Sequence, residues 1–283
     1  MPTITVHSEP CVQCGACADV CYGRDVFEMT ANGAVAAHPD HCRLCGHCVA
    51  VCPVDAIEID EIPMAECPPI ERDQLPTAEA LITTLRSRRS YRRFQDRPVP
   101  RDVIRQLISA ARWIPTGYNR QYVDWIALDD ETAITALVRE LLVELRRAME
   151  RGRDRSRFLG SLSPEQVDRL IDQTAEKRKP FFFDAPAVLA AICDAETVCA
   201  REEATYATYN VMLVAERLGL GTCHIGSLHL LLEEFPRLQR RLLGIPDGKK
   251  LEALMVVGYP ARTVRRMVPR RMPEIAWNPG QPL

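Results

Sequence analysis

Eight of the twelve cysteines fall into two runs whose spacing could do chemistry. Cys11, Cys14, Cys17 and Cys21 follow C-x2-C-x2-C-x3-C, and Cys42, Cys45, Cys48 and Cys52 repeat it 31 residues later, with Pro53 completing the second copy as C-P. Thiolates separated by two residues in a tight loop can be aimed at adjacent metal atoms while the loop's N–H groups turn toward sulfur. The residues between them, such as Gly15, Ala16 and Gly46, are small enough to allow that wrapping. Structural zinc also uses C-x2-C pairs, but four thiolates complete a zinc site and give no reason for a duplicated third and fourth cysteine. The spacing therefore points to two [4Fe-4S] clusters.

The first 60 residues resemble bacterial two-cluster ferredoxins, in which three cysteines of a run hold one cubane and the fourth ligates the other. The resemblance implies one cluster on Cys11, Cys14, Cys17 and Cys52, and a second on Cys42, Cys45, Cys48 and Cys21. One departure is visible: Tyr22 stands where the proline after Cys21 is expected, which bears on the potential or solvent access of the cluster that Cys21 serves. His41 and His47 flank the ligands, but the cysteine sets are complete without them. After each half comes an extended stretch, Val26–Met29 and Ala56–Ile59, so residues 1–60 read as a small pseudo-symmetric domain held by its clusters more than by its core.

A second set of chemical residues follows. Arg88-Arg89-Ser90-Tyr91-Arg92-Arg93-Phe94 gathers four guanidiniums and a hydroxyl, a group suited to phosphate oxygens. Pro115, Thr116, Asn119 and Gln121 then close a helical stretch with side chains able to hydrogen-bond a ligand ring. Gly219-Leu220-Gly221, His224-Ile225-Gly226, Gly258-Tyr259-Pro260 and Arg270-Arg271 come later.

In this order and spacing, residues 80–275 resemble the FMN-dependent nitroreductase family: R-x-S-x-R-x-F, P-[ST]-x-x-N-x-Q, G-L-G and G-Y-P are all present. The resemblance implies that Arg88 and Arg270 hold the FMN phosphate, and that Arg89 and Ser90 serve the phosphate side and the ribityl or pyrimidine edge. Arg92 would supply the cation near flavin N1 and O2, where reduction adds negative charge. Pro115, Thr116, Asn119 and Gln121 would line the site, and a backbone N–H of Ile225 or Gly226 would meet N5, the atom that exchanges hydride. The family is an obligate homodimer with FMN at the subunit interface, so a homodimer is expected here. His224 could protonate a substrate beside the flavin, though a structural histidine fits as well; Cys223 reads as a small packing residue. Phe181-Phe182-Phe183 could wall the flavin pocket or fill the core, and substrate selection is expected in 150–183. The family's deiodinases use a Glu…Tyr…Lys lid in this region, and no tyrosine lies between 123 and 205, which disfavours that activity.

These residues need elements to position them. Val103, Ile104, Leu107, Ile108 and Ala111 repeat on one helical face, and Ile134 to Met149 does the same. The Arg-rich stretch 146–157 reads as a solvated helix face and exit. Ser163-Pro164-Glu165-Gln166 is a capping box, and 204–218 is apolar nearly all round, predicting a buried helix ended by Gly219. Strands are expected at 125–128, 187–192 and 253–257, enclosed by helices. Residues 60–76 carry four prolines and Cys67 and read as a stiff connector. The expected organisation is a ferredoxin domain over 1–60, a proline-rich linker over 61–76 and a nitroreductase-like α+β FMN domain over 77–283.

Composition sets the remaining bounds. With 283 residues, 47% hydrophobic and 26% charged, the chain can bury two cores. Net charge is −2, but residues 1–60 hold eight acids against Arg24 and Arg43, an acidic head suited to docking a basic donor. Nothing suggests a nucleic-acid partner, a membrane span or a secretory signal, so a cytoplasmic protein is expected. The expected activity is that of an oxidoreductase taking electrons from a low-potential donor such as reduced ferredoxin through the clusters to FMN. The acceptor would be a nitro compound, a quinone or an activated double bond. Two alternatives stay open: NAD(P)H reduces FMN and the clusters carry electrons out to a partner, or the protein is a redox-sensing or electron-storing module without turnover.

Overall fold

A computed structural model describes residues 1–23, 25–152 and 162–277. The chain divides into two compact units. The first comprises residues 1–75 together with 115–122 and 197–199, and the second holds the remainder.

In the first unit β1 (Ile4–Val6), α1 (Ala16–Val20), β2 (Phe27–Thr30), β3 (Gly33–Ala36), α2 (His47–Val51) and β4 (Ile57–Ile59) follow in order. β1 pairs antiparallel with β4, and β2 with β3. The cysteine repeat is also a backbone repeat. α1 starts after Gly15 at φ +73° and α2 after Gly46 at φ +69°, left-handed turns that glycine takes without a Cβ clash. Both helices end on an extended cysteine, Cys21 and Cys52, with φ and ψ matching within 1°. The core is small: Val26, Phe27, Val49, Ile57 and Ile59 close around the buried Cys17 and Cys48. Part of the proline-rich stretch joins it, because Ile62, Met64 and Cys67 pack on that core.

The second unit holds α3 (Ala78–Ser87), α4 (Arg101–Ala111), β5 (Asp124–Leu128), α5 (Glu131–Glu150), α6 (Pro164–Ala175), β6 (Ala187–Asp194), α7 (Ala200–Arg217), β7 (Gly221–His224), α8 (Gly226–Glu234), α9 (Pro236–Leu243) and β8 (Lys249–Gly258). Its sheet has the order β5-β6-β8-β7, antiparallel throughout. Both faces are covered, so the alternation of side chains splits each central strand between two cores. Val188, Ala190, Ile192, Leu254 and Val256 face α5, α6, α8 and α9; Ala187, Leu189, Met255 and Val257 face α4 and α7.

Side chains cap helix starts, and one of these caps is the predicted Ser163–Gln166 box. Asp130 accepts the Ala133 N–H at 2.7 Å to start α5, and Ser163 and Gln166 complete their reciprocal box at the start of α6. β7 has no hydrophobic run to announce it, because Gly221, Thr222, Cys223 and His224 are mostly small. The expectation of an apolar helix over 204–218 needs correction. α7 buries Ala204, Ala207, Val211 and Ala215 but leaves Tyr206 and Tyr209 exposed, since aromatic hydroxyls keep one stripe wet. α3 buries no side chain and exposes Leu81, Ile82 and Leu85. Among the described residues no helix is long and apolar enough to cross a membrane. Of the Arg-rich stretch 146–157 and the segment 150–183, residues 153–161 lie outside the described residues.

Candidate cluster and flavin sites

The first unit contains two separate cavities, each walled by four thiols. One is lined by Cys11, Cys14, Cys17 and Cys52; the other by Cys21, Cys42, Cys45 and Cys48. Each thus draws three cysteines from one run and one from the other, a crossing that β1–β4 pairing and the matched helices α1 and α2 impose. The sulfurs surround space instead of meeting at a point. Among the described residues no three His, Cys, Asp or Glu groups are placed to hold a single metal ion, and no cysteine is in a disulfide. A body of several atoms suits such a cage; one zinc ion does not.

Burial pushes the Cys48 thiol up to about 11 and raises Cys17 and Cys42, so as bare thiols these groups resist ionisation. Iron would reverse that cost, and N–H groups already point at sulfur: Leu44 donates to Cys42 Sγ at 3.4 Å and Ala56 to Cys52 Sγ at 3.2 Å. His41 also lines the second cavity, but its Nδ1 lies 2.7 Å from Asp25 Oδ2, and this bond lowers the Asp25 pKa.

The Pro115–Tyr122 segment, expected beside the flavin, belongs to the first unit. Asn119 gives its side-chain amide to the Leu44 carbonyl at 2.7 Å, and Thr116 Oγ1 accepts the Gln121 N–H at 3.2 Å. The Asn119 side-chain amide thus reaches the loop between Cys42 and Cys45, a contact that its expected place beside a flavin did not include. Sequence reasoning had no signal for this, because an Asn in a motif does not say which carbonyl it faces.

In the second unit the arginine run lies along the end of the sheet. The Tyr91 N–H donates to Thr222 O at 2.9 Å, Ser90 bridges Thr222 of β7, and Phe94 bridges Pro260 just past β8. The glycine motifs make this approach possible. A Cβ on Gly221 would lie 2.6 Å from the Tyr91 ring, and one on Gly258 would lie 2.6 Å from Pro186 Cδ and 2.8 Å from the Phe94 ring. These two glycines serve packing that seats the run.

Arg88, Ser90 and Arg92 converge on the buried Cys223: Ser90 hydrogen-bonds its thiol and both guanidiniums act on it, although burial dominates and raises its pKa. Arg88 Nε is buried without a hydrogen-bond partner, which is a site for an anionic acceptor. Its guanidinium lies 5.9 Å from the Tyr209 ring, and Arg92 lies 5.9 Å from the Phe183 ring. Glu216 of α7 accepts the Arg89 backbone N–H, and burial raises its carboxyl above the ordinary range. The three phenylalanines divide: Phe182 is core, while Phe181 and Phe183 are half-buried on left-handed backbone, pinned by Asp184 bonded to Arg178 and to the Lys179 N–H. Tyr209 and Glu216 carry no sequence pattern that would have singled them out, whereas Phe183 belongs to the triplet expected to wall the pocket or fill the core.

Ile225 is buried and its N–H donates to Leu254 O at 2.8 Å, which corrects the expectation that it could meet flavin N5. Gly226 opens α8, where the first-turn N–H groups have no partner within the helix, so it keeps that capacity. His224 has its ring at the surface, with packing and the neighbouring His229 pulling its pKa below the ordinary imidazole value. Arg270 stands exposed in the irregular stretch after β8.

Comparison with known proteins agrees with both halves. A sequence model of the nitroreductase family matches residues 85–259, and one of the 4Fe-4S dicluster domain matches residues 3–60. The chain is 28% identical over 211 residues to a chloronitrobenzene nitroreductase of Comamonas testosteroni, covering 65% of this chain and 88% of that one. It is 25% identical over 175 residues to an iodotyrosine deiodinase of Thermotoga neapolitana, covering 62% and 86% respectively. In fold it is similar to a nitroreductase with bound FMN from Bacteroides fragilis, with a TM-score of 0.52, 19% identity, and coverage of 69% of this chain and 98% of that one. A family-wide match over most of the sheet-bearing unit, preceded by a match over the cysteine repeat, makes the protein a member of the nitroreductase family of oxidoreductases with an N-terminal 4Fe-4S dicluster domain.

Proposed function

We propose that the protein takes single electrons from a low-potential donor into its N-terminal domain, as the holder of two [4Fe-4S] clusters, and uses them in its C-terminal domain, as the holder of FMN, to reduce a small organic acceptor. When bound, the clusters supply one-electron carriage and the flavin supplies delivery of hydride, or of two electrons with protons. The observation that carries the reading is the pair of cavities, each walled by a crossed set of four thiols. On it we assign Cys11, Cys14, Cys17 and Cys52 to one cluster and Cys21, Cys42, Cys45 and Cys48 to the other.

In the second unit the orphaned Arg88 Nε supports assigning Arg88 to the FMN phosphate, with Arg89 and Ser90 beside it. Arg92 is assigned to the side of the ring that gains negative charge, and the Gly226 N–H at the start of α8 to the hydride-bearing nitrogen. Similarity to a chloronitrobenzene nitroreductase favours nitro compounds among the acceptors, with quinones and activated double bonds as the related classes. A homodimer completes the reading. α3 exposes Leu81, Ile82 and Leu85, and the irregular stretch 261–277 exposes Val264, Met267, Val268, Met272, Ile275 and Trp277, apolar surface that a second copy would cover.

The test is an anaerobic visible titration of the purified holoprotein with reduced ferredoxin, NADH and NADPH separately. Rapid bleaching of clusters and flavin by ferredoxin, with no response to nucleotides, is the expected result. Reduction of the flavin by a nucleotide within seconds makes the clusters an outlet instead. Failure of every organic acceptor to sustain turnover supports the redox-sensing alternative.

A further inference from the structure

The two thiol-lined cavities are built from a repeat, yet one of them receives an addition from outside it. Leu44 lies between Cys42 and Cys45, and Gln13 holds the equivalent place between Cys11 and Cys14. Both adopt left-handed backbone, φ +52° and φ +58°, which L side chains disfavour. At Leu44 the arrangement is fastened twice: its N–H donates to Cys42 Sγ at 3.4 Å, and its carbonyl accepts the Asn119 amide at 2.7 Å. Asn119 reaches the Arg43 carbonyl as well, at 3.4 Å. No equivalent bond is made at Gln13 among the described residues.

The neighbours of Asn119 strengthen the attachment. Tyr118 meets Tyr22 edge-on at 6.2 Å between ring centroids and lies 5.4 Å from the Arg43 guanidinium. Tyr22 and Arg43 both line the cavity of Cys21, Cys42, Cys45 and Cys48. Tyr22 is also the residue that replaces proline after Cys21, so the departure from the cysteine motif falls where the outside segment packs.

We propose that Asn119 is a positioning residue for this cavity: by fixing the Leu44 peptide it aims an N–H at the Cys42 sulfur and raises the reduction potential of the cluster held there, leaving the other cluster unchanged. Reduction adds one electron and one negative charge at the cluster, with no bond broken and no proton required, and a donor aimed at sulfur stabilises that added charge. The inference rests on the ligand sets assigned above and is distinguishable from them. Iron and sulfide content near that of two cubanes tests the ligand sets, whereas the potentials test Asn119.

The experiment is an anaerobic redox titration of the full-length holoprotein, followed by electron paramagnetic resonance. Asn119→Ala is expected to lower the reduction equilibrium of one cluster about tenfold, equal to ~59 mV for one electron. The affected signal must be the one abolished by Cys45→Ser, and the other cluster must not move. Asn119→Gln, which keeps the amide, should recover part of the shift. If Asn119→Ala does not retain its clusters, Asn119→Leu, similar in size but without the donor, replaces it. Unchanged potentials, equal shifts of both clusters, or loss of flavin with unaltered potentials overturns the proposal.

Discussion

Adding one methyl group at Gly221 tests how the arginine run is held. The Cβ of Gly221→Ala would fall 2.6 Å from Tyr91 Cγ, 2.7 Å from Cδ2 and 2.9 Å from Cβ, well inside ordinary contact distance. The ring cannot yield by rotating alone, because the Tyr91 N–H is tied to Thr222 O at 2.9 Å and its own Cβ is among the clashing atoms. Overpacking of this kind costs about 1–3 kcal/mol. In a domain of this size that is a fall in melting temperature of roughly 2–12 °C. Ser90 and Arg92 flank Tyr91, so the displacement also moves groups assigned to FMN, and flavin affinity is expected to fall at least tenfold. Thermal melting and quenching of flavin fluorescence measure the two effects. In a Tyr91→Ala background the same substitution should lose most of its cost, because the obstructing ring is gone. A melting temperature and flavin affinity equal to those of the parent, or the same penalty in both backgrounds, refutes the packing argument.

Other perturbations separate the two halves of the chain. Arg88→Ala removes a charged donor worth about 1.5–3 kcal/mol, so FMN binding should weaken roughly 10- to 150-fold while cluster absorbance stays constant. Cys11→Ser or Cys52→Ser should stop donor-driven turnover but spare flavin binding; full donor-driven activity after loss of that cluster excludes the relay. His224 and His229 both have folded pKa values below the ordinary imidazole value, so the unfolded chain binds more protons as pH falls through 6.5. Stability should therefore decrease on acidification from pH 7 to pH 5, and His229→Gln should flatten that slope in thermal melts. Light scattering should give twice the 31.9 kDa chain mass, and Leu81→Asp with Leu85→Asp should halve it; a parent protein at the single-chain mass removes the dimer.

The sequence by itself determined the features that depend on near neighbours. Cysteine spacing set two ligand loops, because a C-x2-C loop and its glycine turn are decided within a few residues. Helical periodicity set α4 and α5, and the Ser163–Gln166 box set the start of α6, for the same local reason. Long apolar runs marked β6 and β8, since strands buried on both faces cannot hide their composition. Only the tertiary structure decided what reaches across the chain. It gave Asn119 to Leu44, 75 residues away, and gave the Ile225 N–H to Leu254. It made Gly221 and Gly258 seats for aromatic rings, and placed Phe183 beside Arg92. A backbone donor or a missing Cβ looks the same in sequence whatever it faces, and its partner exists only once the sheet has formed.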